Sequence, residues 1–149
     1  MTLAPIYGGG ISLVEDIIEA LDDLGVEVLR INEESWTAAY QEAARTRNPL
    51  PFYATVHQAI ERVASESKPD LCLTFALAPI PPGFRETLDR FKIRSAHWFF
   101  EDGRRFPIFE RMASEHDMLC SIQPWVAAML REQGHTDAHY LPLGVPIRC

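Results

Sequence analysis

The chain has 149 residues, 47% of them hydrophobic and 23% charged, with a formal net charge of −7. That length and apolar fraction suit one globular domain and exclude a disordered tail or a collagen-like repeat. Proline and charge cut the apolar runs well short of the ~20 residues of a membrane span, and the first residues lack an export signal, so a cytoplasmic protein is expected.

Leu3-Ala4-Pro5-Ile6-Tyr7 predicts a short first strand, ending at Gly8-Gly9-Gly10. Apolar residues at 13, 14, 17, 18, 21 and 24 then make a helical stripe, with Ser12 as N-cap, Glu15 completing a capping box and Gly25 as the stop. Val26–Ile31 is a largely alternating, β-branched run, so strand, turn, helix and strand form one βαβ unit within about 30 residues. Helices follow at 36–45 and 52–67, divided by Asn48-Pro49-Leu50-Pro51; the second turns Val56, Ala59, Ile60 and Val63 inward. Leu71–Ala76 is almost continuously apolar, as a central parallel strand should be. Helices at 82–91, 106–115 and 124–133 then alternate with strands at 93–100, 118–122 and 138–143, Pro124 standing at the first helical position.

This alternation predicts a single α/β domain over 1–149: a doubly wound, Rossmann-like parallel sheet of about six strands with helices on both faces. The expected strand order is 2-1-3-4-5-6. The order 3-2-1-4-5-6 would need a strand at 45–55, which Pro49 and Pro51 oppose.

Ligands of such sheets bind at the carboxyl ends of the strands, near the reversal of strand order, here expected between the strands ending at Tyr7 and Ala76. The loops 8–12, 76–83, 101–105 and 123–125 are therefore the candidates. Gly8, Gly9, Gly10 and Ser12 lead into a helix whose N-terminus is a plausible seat for a phosphate or sugar oxygen; a plain strand-to-helix turn is the alternative. Leu13 breaks the G-x-G-x-x-G pattern, and no Walker lysine follows. The run His97–Arg105 sets Glu101, Asp102, Arg104 and Arg105 at a strand end. A carboxylate there could bind sugar hydroxyls or act as a base, and an arginine could hold a phosphate. Alternatively, Asp102 caps the next turn and the arginines pair with it.

The histidines form no metal set, because His135 and His139 fall in a turn and a strand. His57 and His116 read as helix-surface or helix-end residues, and His97 as a core histidine with its hydrogen bonds satisfied. Cys72, Cys120 and Cys149 lack C-x-x-C spacing and read as free thiols of a reducing compartment. No cofactor is expected, and no residue is assigned as catalytic. Residues 1–75 carry 12 acids and 5 bases, and residues 76–149 carry 9 of each; this opposes a nucleic-acid partner, which needs a basic footprint.

Gly8–Leu13 through Leu24-Gly25-Val26-Glu27-Val28 resembles the opening of GT-B glycosyltransferases. The runs Lys68-Pro69-Asp70-Leu71, Trp98–Phe106, His116-Asp117 and Tyr140-Leu141-Pro142-Leu143-Gly144-Val145 resemble the N-terminal domain of the CgeB-like (spore maturation protein) glycosyltransferases, which read P-D-L, W-F-x-D-D-P-R, Y-D and Y-L-P-L. Glu101 replaces the first Asp, Gly103 the Pro and His116 the Tyr; Gly103 is expected to soften the loop. The resemblance implies an acceptor-side half of a two-domain enzyme that transfers sugar from a nucleotide-sugar donor to an acceptor. Without the donor-binding C-terminal half, this chain would be inactive or nearly so. A stand-alone flavodoxin-like ligand-binding or regulatory module is the alternative.

Overall fold

The computed structural model describes residues 1–3, 10–31 and 35–144. Five strands, β1 (Thr2–Leu3), β2 (Leu71–Phe75), β3 (Arg94–Phe99), β4 (Met118–Ser121) and β5 (Ala138–Tyr140), form one parallel sheet in the order β1-β2-β3-β4-β5. The helices are α1 (Gly10–Asp23), α2 (Ser35–Thr46), α3 (Leu50–Ser67), α4 (Phe84–Phe91), α5 (Phe109–Glu115) and α6 (Pro124–Glu132). The α/β class and the parallel, Rossmann-like sheet are as expected.

Strand number is not, and the order differs in that the expected second strand drops out of it among the described residues. The run 26–31, expected as a second strand, makes one parallel bridge among the described residues, Thr2 to Arg30. The Thr2 amide donates to the Leu29 carbonyl at 2.8 Å, and the Ile31 amide to the Thr2 carbonyl at 3.2 Å. Val26 and Arg30 stay exposed. Thr2 also pairs with Leu73, so the 26–31 segment flanks β1 on the side away from β2. The rest of the expected first strand, residues 4–7, lies outside the described residues.

Alternation along the strands separates two faces. Cys72, Phe99 and Leu119 point into the main core, where α3, α4, α5 and α6 contribute Val56, Ile60, Phe84, Leu88, Phe109, Met112, Val126 and Leu130. Leu73, Phe75, Trp98 and Phe100 point the other way and receive Val14 and Ile18 of α1. Helices thus cover both faces, α1 being the cover of the second among the described residues. Val14 meets Phe75 near the carboxyl end of β2, whereas Leu21 and Gly25 lie beside Met1 and Leu71 at the amino end. The N-terminus of α1 therefore opens toward the edge where the strands finish.

The predicted cap of this helix is corrected. α1 starts at Gly10, so Ser12 is an interior residue rather than the N-cap. Glu15 pairs with Arg30 at 2.5 Å instead of closing a capping box. Elsewhere the proline and glycine punctuation falls where helices begin and end. Pro124 opens α6, and α4 runs from Gly83 at φ 77° to Lys92 at φ 59°.

Candidate functional site

The loops after β3 and β4 meet at the carboxyl edge of the sheet. Asp102 Oδ1 accepts the Arg104 amide at 3.0 Å, and its carbonyl accepts the amides of Arg105 and Phe106. Donation from the Arg104 amide is the chief reason the Asp102 carboxyl lies below its ordinary range. The turn-capping role of Asp102 is therefore real, and the carboxylate stays exposed beyond it.

Across the edge, Ser121 Oγ accepts the Gln123 amide at 3.1 Å, and Gln123 Oε1 accepts the Gly103 amide at 2.9 Å. Gly103 is buried, and a Cβ on it would meet Trp125 and Val126 atoms at 3.0 Å and Gln123 Oε1 at 3.1 Å. The glycine expected to soften the loop is thus closely packed, and a side chain there would require Trp125, Val126 and Gln123 to give by a few tenths of an ångström. Arg104 lies over the Trp125 ring, 5.9 Å from its centroid. Trp125 is 38% exposed and packs edge-on against Phe109. Arg105 rests on Phe106 rather than on Asp102.

The structure thus brings the 101–105 and 123–125 loops together, with Glu101 half-buried and Asp102, Arg104 and Arg105 exposed. Gly8 and Gly9 lie outside the described residues, and Gly10 and Ser12 are described in backbone only, at the first turn of α1.

Below this edge lies a polar cluster that the sequence did not reveal. His116 stands at the end of α5, the helix-end position expected, and is buried there rather than on the surface. Its Nδ1 is 2.7 Å from the Met112 carbonyl, which can only accept, so that nitrogen carries the proton. Nε2 is then an acceptor for the Thr74 hydroxyl at 2.9 Å, and Thr74 Oγ1 in turn accepts His97 Nδ1 at 2.6 Å. The network assigns one directed chain, His97 to Thr74 to His116 to Met112. Both imidazoles are neutral. Burial pushes His97 well below its ordinary value, helped by His116, and burial pulls His116 down to about 4. His97 Nε2 has no hydrogen-bond partner among the described residues, so the histidine expected to be satisfied is satisfied there at one nitrogen. His57 is also half-buried, bonded to Thr87 Oγ1 at 2.8 Å.

Asp117, the second residue of the His116-Asp117 pair, works at the opposite edge of the sheet. Its Oδ2 accepts the Ser95 amide at 2.8 Å and its Oδ1 accepts Arg85 at 2.8 Å, tying β3 to α4. Burial alone would raise its carboxyl, but the Ser95 amide and Arg85 outweigh that and lower it. Cys72 is buried, its thiol pushed up to about 12 by desolvation, and Cys120 is half-buried. No group of three or more metal-ligating side chains forms among the described residues, and no described helix is long and apolar enough to cross a membrane.

No family model, curated protein or solved structure matches the chain.

Proposed function

We propose that the chain is the acceptor-side, Rossmann-like half of a GT-B-type glycosyltransferase, which binds sugar at the carboxyl edge of its sheet and works with a nucleotide-sugar donor bound largely by another domain. One observation carries this reading. The Trp98–Phe106 segment, where the resemblance is most specific, is locked onto the start of α6 and presents Asp102, Arg104 and the exposed Trp125 together. An aromatic face suits the C–H side of a sugar ring, carboxylates accept its hydroxyls, and guanidinium groups hold phosphate oxygens. Gly8, Gly9, Gly10 and Ser12 belong to the same proposal as the seat of a phosphate or sugar oxygen at the start of α1. The roles assigned are binding and positioning.

The test is NMR titration of the full chain with mono- and oligosaccharides and with nucleotide-sugars. Saccharides are expected to shift the amides of 101–105 and 123–126, Trp125→Ala to abolish the shifts, and nucleotide-sugars to bind weakly or not at all. Micromolar nucleotide-sugar affinity, or no saccharide response, overturns the reading. A preparation that takes up flavin and turns yellow replaces it with the flavodoxin-like module.

A further inference from the structure

A cleft of about 290 Å3 opens between α2, α3 and α5 beside the loop that leaves β2. Its floor is apolar and aromatic: Phe52, Ile80 and Met112 are buried, and Tyr40 and Tyr53 stand against Phe52 at ring separations of 5.5 and 5.9 Å. Arg111 lies on its rim, exposed, and enters none of the ion pairs formed among the described residues.

The wall supplied by residues 77–80 is stiff. Ala76 is buried at φ 48°, a conformation that costs a residue with a side chain about 1 kcal/mol or more and is found at ligand-clamping loops. The Ala78 amide donates to the Phe75 carbonyl at 2.9 Å, and Pro79, Pro81 and Pro82 hold the backbone through the exit. A preformed wall lowers the ordering cost of binding. A guanidinium in no ion pair among the described residues, in one lining with aromatic rings, matches a flat or short apolar molecule that ends in an anion.

We propose that this cleft binds a small amphiphilic anion, its aromatic or short apolar body against Tyr53 and Leu77, over the buried Phe52 and Met112, and its single carboxylate or phosphate group on Arg111. The inference does not rest on the glycosyltransferase reading, since its site is formed by other residues.

Benzoate, phenyl phosphate and the neutral benzyl alcohol are the probes, titrated into the full chain while the Met112 methyl and the 77–80 signals are followed by NMR. One or both anions should give saturable shifts at Met112, and benzyl alcohol should bind more weakly. Arg111→Gln, at an exposed position that leaves the melting temperature unchanged, should weaken the anion about tenfold or more. Tighter benzoate assigns a carboxylate ligand and tighter phenyl phosphate a phosphate monoester. The proposal is overturned if neither anion shifts Met112, if benzyl alcohol binds as well as the anions, or if Arg111→Gln changes nothing. Sugar responses are read at Trp125 and anion responses at Met112, so either reading can fail alone.

Discussion

Gly103 and Asp117 show how single residues set the geometry of the two sheet edges. Adding one methyl at Gly103 presses on the rings and methyls of Trp125 and Val126 at 3.0 Å, and overpacking of this kind costs about 1–3 kcal/mol. Gly103→Ala is therefore expected to lower the urea midpoint and to shift the 123–126 amides, even though residue 103 sits in a loop. Asp117→Asn weakens the bonds to Arg85 and the Ser95 amide; a loss of about 1–2 kcal/mol is expected in thermal unfolding. These two residues were legible in different degrees. The Glu101-Asp102-Gly103-Arg104-Arg105 run stands out by its charge, and its turn-capping Asp102 could be named. Gln123, which accepts the Gly103 amide, lies 20 residues away, and the packing partners Trp125 and Val126 lie further still, beyond any local pattern.

Elements followed their periodicity wherever a long apolar stripe or a proline defined them. α3 buries Val56, Ala59 and Ile60 as expected, and adds Ala64 on the same face. The segment 26–31 has the composition of a strand, yet among the described residues it makes only the Thr2–Arg30 bridge. α4 ends at Lys92 in the left-handed region, its amide on the Asp89 carbonyl and the Ile93 amide on the Leu88 carbonyl. Glycine adopts that conformation without the side-chain penalty. Lys92→Gly is thus expected to raise stability by about 0.5–1 kcal/mol, measured by chemical denaturation.

For the whole molecule, the neutral Thr74–His97–His116 cluster couples folding to pH. Folding lowers both histidines, so above the ordinary value of about 6.5 neither the folded nor the unfolded chain is protonated there, and stability is fully present. As pH falls from about 6.5 toward 4, the unfolded chain takes up protons that the folded chain refuses, and stability declines. His116 alone, with its value near 4, accounts for a loss of about 3 kcal/mol over that range. Urea midpoints measured from pH 7 to pH 4 should fall steadily, and His116→Gln should flatten the slope. A midpoint that holds constant across that interval contradicts the assignment.

The sequence by itself determined the α/β class, the parallel sheet and most helices. Those features rest on hydrophobic period and on proline and glycine punctuation, which are local. Tertiary structure alone decided that 26–31 makes one bridge among the described residues, that His116 is buried, that Gly103 is a packing contact, and that Tyr53 and Arg111 line one cleft. Each of these depends on side chains brought together from distant parts of the chain, where no periodicity carries the information.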